Sequence, residues 1–278
     1  VTEATITTPA TFEPTIPIPW HQLPLVALDF ESTGVDIETD RAVTATVALC
    51  PPGPGQPIVH NWLLDPGMDI PAEATAVHGI TTERARGEGA PAAQALAEIV
   101  GVLETYLNPL NGSGAHGLVI YNAPFDHSLL DRECRRYGIK PLLERAREGG
   151  WAVATIDPLV IDKACNKYVK GKGQRQLTPT CARYGIELVN AHTSEADVLA
   201  SVALARAMGE RYPQVGSASL ERLQAWQRTW HERQTTGFAD FLLGLKAQTD
   251  ESEHEELETK AAGVRAEAGL WPVRPASD

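Results

Sequence analysis

Residues 25–28 read Leu-Val-Ala-Leu, and two acids, Asp29 and Glu31, follow directly in the stretch LDFESTG. A short continuous apolar run of this kind is the signature of a strand buried on both faces. Alternation along a strand sends residues i and i+2 to one face, so Asp29 and Glu31 converge on a single spot. Two carboxylates at the end of a buried strand do not ionise comfortably side by side unless a cation lies between them. Taken alone, such a pair is most often a solvated strand edge or a helix-capping acid, so the question is what else in the chain cancels these charges.

The neighbouring sequence supplies the rest of such a sheet. Residues 41–50, RAVTATVALC, alternate and are rich in β-branched side chains. The turn cluster PPGPGQP separates them from IVHNWLL at 58–64, and three strands on short turns predict an antiparallel meander. The pattern then changes. Residues 92–107 have helical apolar spacing, 117–121 form a short buried strand, and 124–137 are helical with Pro124 in the first turn. Residues 153–156 predict the last strand, followed by helices over 158–166, 177–186 and 194–211. A meander followed by strand–helix alternation implies an α/β fold, a mixed sheet covered by helices. Beyond Pro213, the residues Leu220, Leu223, Trp226 and Trp230, continued by Phe238, Phe241, Leu242 and Leu245, mark one apolar face of a long helix that packs on the domain or holds a partner.

These shifts divide the 278 residues into a flexible Thr/Pro-rich arm over 1–22, a main domain over 23–212 and a C-terminal helical extension over 213–278. The tail from about Ala247, charged and rich in Ala, is expected to be a fraying helix or disordered. The first residues lack the cationic start and apolar stretch of a secretory signal, and no apolar run reaches the length of a membrane span. The four cysteines show no CxxC spacing and read as thiols of a reducing cytoplasm, not a disulfide framework or zinc site. The formal net charge of −12 argues against general nucleic-acid binding, but its distribution is uneven. Acids crowd 251–258, whereas Lys163, Lys167, Lys170, Lys172 and Arg175 crowd one segment, a candidate phosphate-tracking edge on a mobile loop. The run GKGQ within it lacks the frame of a Walker-type phosphate loop.

Two further places join Asp29 and Glu31. Asp126 lies early in the helix of YNAPFDHSLL, and His192 and Asp197 lie in AHTSEADVLA. Taken singly, each has a plain alternative: a helix cap, a surface histidine, a solvated acid. Taken together, four carboxylates with no Cys ligand suit two divalent ions of the Mg²⁺ or Mn²⁺ type, the arrangement that clamps attacking and leaving oxygens in phosphoryl transfer. His192 beside such a pair has the chemistry to take a proton from an attacking water.

In this order and with these neighbours, the sequence resembles the DEDD superfamily of 3′–5′ exonucleases, in the subtype with a catalytic histidine, and in particular the proofreading subunits of bacterial replicative polymerases. LDFESTG is similar to the first family motif, YNAPFD to the second and HTSEAD to the third, where His-x4-Asp marks the histidine subtype; IPAEATAVHGIT at 70–81 resembles a further family segment. The resemblance covers roughly residues 23 to 210. It implies a ribonuclease-H-like fold, a five-stranded mixed sheet with helices on both sides. It also implies two metals held by Asp29, Glu31, Asp126 and Asp197, with His192 as general base. By the same resemblance Glu73 and His78 line the pocket of the terminal nucleotide, Ser32 and Thr33 approach it, and Asn122 and Phe125 meet the adjoining part of the strand.

The expected activity is hydrolysis of the last phosphodiester of a single-stranded DNA 3′ end, releasing nucleoside 5′-monophosphates. Two alternatives stay open at this stage. One is a weakly catalytic or non-catalytic subunit that tethers a polymerase or clamp through residues 218–246, although QTTGFADF resembles a clamp-binding stretch only faintly, with Gly237 where a Leu or Met is expected. The other is a 3′ exoribonuclease, since the contact that tells DNA from RNA is not legible in the residues.

Overall fold

The structure is a computed structural model that describes residues 18–112, 117–188, 191 and 193–276. His192, most of the expected N-terminal arm (1–17) and the last two residues lie outside the described residues. Six strands form one mixed sheet: β1 (Leu25–Ser32), β2 (Ala42–Cys50), β3 (Ile58–Asp65), β4 (Ala90–Pro91), β5 (Leu118–Val119) and β6 (Thr155–Ile156), in the order β4-β3-β2-β1-β5-β6. The expected meander is present: β1 pairs antiparallel with β2, and β2 with β3. β5 joins β1 in parallel and β6 joins β5 in parallel.

The sheet therefore has six strands where five were expected. The extra strand, β4, is two residues long and pairs in parallel with β3 at the far edge. Its second residue is Pro91, which lacks an N–H and is tolerated only at such an edge, and two residues carry no periodicity to read.

Helices cover both faces. α1 (Ala72–His78), α2 (Thr82–Glu88) and α3 (Ala92–Leu107) follow the meander; α4 (Ala123–Arg136) and α5 (Leu142–Glu148) follow β5. α6 (Pro158–Cys165), α7 (Leu177–Arg183) and α8 (Ser194–Arg211) follow β6. The apolar stripe Leu96, Ile99, Val100, Leu103 and Leu107 of α3 is buried against Val26, Leu28, Ala45, Val47 and Leu64 on one sheet face. Each such side chain contributes about 1.5–3 kcal/mol of burial. The other face, carrying Leu25, Ala27 and Ala48, packs under α8 through Val198, Val202, Leu204 and Ala205. Trp20, within the stretch expected to be a flexible arm, is 3% exposed in this second core and donates its indole N–H to the Val215 carbonyl at 2.9 Å. Ordered structure thus begins before residue 23.

A short turn of helix, α9 (Pro213–Gly216), leads into α10 (Leu220–Leu245), and α11 (His254–Ala266) folds back along its second half. α10 lies against the open edge of the sheet, beside β6. The fully buried Gln227 amide donates to the Thr155 carbonyl at 2.9 Å and accepts from the Asp157 N–H at 2.7 Å, filling the hydrogen-bonding groups that an edge strand leaves bare. Gln224 and Gln234 extend the seam to the carbonyls of Val153 and Val160. The tail, expected to be a fraying helix or disordered, forms the helix α11 and returns to the domain. Trp271 is 3% exposed, and the Arg132 guanidinium donates to the carbonyls of Arg274 and Pro275 at 3.0 and 2.6 Å. No helix among the described residues is long and apolar enough to cross a membrane.

Candidate active site

β1 delivers the first acids as expected. Asp29 and Glu31 share the sheet face with Leu25 and Ala27, under the first turn of α8, which supplies Asp197. One carboxylate oxygen from each of Asp29, Glu31 and Asp197 lies within 4.8 Å of the others. A break in the β1–β2 register between Glu31 and Ser32 ends the strand just beyond the acids.

The start of α8 is pinned to the sheet by a polar ladder. Asp29, Thr46 and Asn61 are cross-strand neighbours in β1, β2 and β3. The Thr46 hydroxyl donates to Asn61 Oδ1 at 2.6 Å and lies 2.8 Å from the Ser194 hydroxyl, while Asn61 Nδ2 donates to Glu195 at 2.7 Å. The Thr193 hydroxyl caps the helix by accepting from the Ala196 N–H.

Asp126 enters from α4. It is 4% exposed, and its Oδ1 accepts from the Phe30 N–H at 3.1 Å, which ties α4 to β1 between the two β1 acids. α4 itself is held by Asp157, the fully buried N-cap of α6. The Asp157 carboxylate accepts from the N–H groups of Asn122 (3.1 Å), Ala123 (3.0 Å) and Leu159 (3.0 Å), and from the Trp271 indole at 3.4 Å. Asn122, at φ 66°, is the one non-glycine residue in the left-handed region among the described residues, a conformation Asn tolerates better than most. Strain of this kind persists where the surroundings over-determine it, and here Asp157 does so.

The electrostatics match a site built for cations. Burial, followed by the charges of Asp126, Glu31 and Asp197, pushes the Asp29 carboxyl well above its ordinary range. Burial lifts Glu31 to about 7, with Asp197 adding to it, and lifts Asp126 to about 8 against the opposing hydrogen bond from Phe30. Among the described residues no Lys or Arg forms an ion pair with Asp29 or Glu31. Clustered hard oxygen donors that repel one another fit Mg²⁺ or Mn²⁺.

Two hollows meet at these acids. One, of about 450 Å³, opens toward α4 and α7 and is lined by Asp29, Asn122, Phe125, Asp126, Asp197 and, opposite, Arg175, Gln176 and Thr178. The other, of about 400 Å³, lies on the Glu31 side and is lined by His78, Ile80, Arg84, Asn61, Trp62 and Glu195. Asn122 and Phe125 thus line the first hollow and His78 the second. Thr33 is 2% exposed, its hydroxyl donates to Asp40 Oδ1 at 2.8 Å and its N–H donates to the Arg41 carbonyl at 2.9 Å. The Ser32 hydroxyl likewise donates to the Gly34 carbonyl at 2.6 Å. Gly34 serves close packing, since a Cβ there would stand 2.4 Å from Asp40 Oδ2. Glu73 sits on the exposed first turn of α1 and lines neither hollow. Asn61, Arg84, Gln176 and Thr178 were not foreseen, because nothing in their local spacing distinguishes them from surface polar residues.

The model of the RNase_T exonuclease family matches residues 26–205, and the chain belongs to that family, in its DEDDh type. An uncharacterized exonuclease, CP81 of Escherichia phage 186, is 30% identical over 121 residues, which are 44% of this chain and 54% of the phage protein. Among solved structures, E. coli exonuclease I in complex with a dT13 oligonucleotide superposes with a TM-score of 0.57 at 21% identity, covering 70% of this chain and 42% of that one. Exonuclease I from Methylocaldum szegediense gives 0.54 at 23% identity, over 69% and 41%. The chain thus spans about half the length of the phage protein and about two fifths of the solved structures. The structural likeness establishes the shared ribonuclease-H-like fold. The family implies dependence on a divalent metal, and an acidic cluster that could hold one is present.

Proposed function

We propose that this chain is a divalent-metal-dependent 3′–5′ exonuclease that removes nucleoside 5′-monophosphates from single-stranded DNA ends. The observation that carries the reading is the convergence of Asp29, Glu31 and Asp197 within 4.8 Å, with buried Asp126 tied to the strand between the first two. Asp29, Glu31, Asp126 and Asp197 would hold two Mg²⁺ or Mn²⁺ ions, which when bound make water a nucleophile at neutral pH and offset charge building on the phosphate.

The chain's own groups do the rest. The terminal nucleotide occupies the hollow beside Glu31 and His78, and the preceding one lies across Asn122 and Phe125, whose ring wedges or stacks against its base. His192, neutral, accepts the proton of the attacking water at a ring nitrogen. The DNA bound by the similar exonuclease I supports a single-stranded substrate. In the test, a 5′-labelled single strand shortens stepwise with Mg²⁺ or Mn²⁺, and Asp29→Ala abolishes the shortening. Intact strands from both proteins sink the reading, and RNA shortened faster than DNA reassigns the substrate.

A second reading concerns a polymerase or clamp partner held by residues 218–246. Leu223, Trp226 and Trp230 of α10 are engaged with the domain, whereas Phe238 and Phe241 are 47% and 58% exposed and stacked on one another, which supports the distal half as the part left for a partner.

A further inference from the structure

The basic segment over 162–178 separates into two sets of cations with different fates. Asp162 is fully buried and takes Arg175 and Arg183 as ion-pair partners. Arg175 also donates to the carbonyl of Asn166 at 2.7 Å, and its own carbonyl accepts from the Tyr121 hydroxyl at 2.6 Å. Arg183 donates to the Gln174 carbonyl at 2.5 Å. Gly171 and Gly173, at φ 111° and 77°, make the tight turns that fold the segment on itself, closed by bonds from the N–H groups of Gln174 and Gln176. The segment, expected to be a mobile loop, is thus fastened at these points, and Arg175 is a strut within it.

The second set faces outward. Lys167, Lys170 and Lys172 are exposed, and among the described residues none forms an ion pair. Between them stands Tyr168, 90% exposed, the most exposed large hydrophobic side chain of the described residues. The chain has seven lysines, and these three fall within six residues of a protein with net charge −12. The arm adjoins the site: Arg175 and Gln176 line the same hollow as Asp29 and Asp126, and Arg175 reaches the Asn166 carbonyl at the base of the Tyr168 turn. An exposed ring set among unpaired ammonium groups, beside a cleft that takes a strand end, has the chemistry of a single-strand grip.

We propose that the 166–176 arm holds the part of a single-stranded nucleic acid upstream of the cleaved end, with Lys167, Lys170 and Lys172 on its phosphates and Tyr168 stacked on a base. This rests on the exonuclease reading, but its test does not use hydrolysis. Binding of a fluorescein-labelled oligothymidylate of about 20 nucleotides is followed by anisotropy in chelator across a salt series. The triple substitution K167S/K170S/K172S is expected to flatten the slope of log affinity against log salt by about 2. Tyr168→Ala should weaken binding roughly 5- to 100-fold, and Tyr168→Phe should restore it. Lys260→Ser, on the exposed tail helix, should leave the slope unchanged. A wild-type protein that does not bind the strand, a triple variant with the wild-type slope, or an equal loss in the Lys260 control overturns the proposal. Failure of metal-dependent hydrolysis with binding intact would instead remove the exonuclease reading and leave the grip standing.

Discussion

Replacing Glu31 by Gln should stabilise the metal-free protein at neutral pH while weakening its hold on divalent ions. Burial and the Asp197 charge raise the Glu31 carboxyl from its ordinary 4.5 to about 7. The folded state therefore holds this proton more tightly than the unfolded chain does. Stability is complete below pH 4.5 and is lost as pH climbs through 7. The shift corresponds to about 3 kcal/mol, and because Glu31 is partly exposed, screening brings the expectation to about 1–3 kcal/mol. Urea unfolding in chelator at pH 5 and pH 8 reads it directly. The wild type should lose stability between the two, and Glu31→Gln should lose about 1–3 kcal/mol less. Added Mn²⁺ should restore the wild type at pH 8 and do less for the variant. If Glu31→Gln in chelator shows the same loss as wild type between these pH values, the acids do not repel one another as described and the argument for a cation site fails.

Asp157→Asn sets an amide donor against N–H groups that now find acceptors. It should destabilise the fold by about 2–4 kcal/mol in chemical denaturation, and lower kcat on single strands because Asp126 rides on the helix that Asp157 holds. Gln227→Leu leaves the Thr155 carbonyl and the Asp157 N–H buried without partners, and should lower stability by about 2–5 kcal/mol by the same measurement, showing that the C-terminal helix is structural to the domain.

Long periodic elements and strand-end acids were legible in the sequence, and long-range devices were not. The α3 stripe repeats over 16 residues, so its ends, Ala92 and Leu107, fall where the pattern places them. Asp29 and Glu31 announced themselves because charge at the end of an apolar run needs an explanation, whereas Asp126 and Asp197 stood out only as members of the set. The helices α1, α2 and α5 have only seven residues each, too few to establish a period, and β4 has two. Asp157 and Gln227 read as ordinary polar residues, and only the fold brings Gln227 to an edge strand 72 residues away. The basic segment shows the reverse error: five cations looked equivalent until Asp162 claimed Arg175. Nor did the motif position of Thr33 show that Asp40, seven residues on, engages its hydroxyl.

The central claim is that the four acids form one metal-dependent site for 3′ ends. It is tested most directly by the first product released from a single strand labelled at its 3′-terminal nucleotide. The account predicts that the label leaves at once as a nucleoside 5′-monophosphate, only with Mg²⁺ or Mn²⁺ present, and not with Asp29→Asn. Release of labelled oligonucleotides, or of the same mononucleotide in chelator, would contradict it.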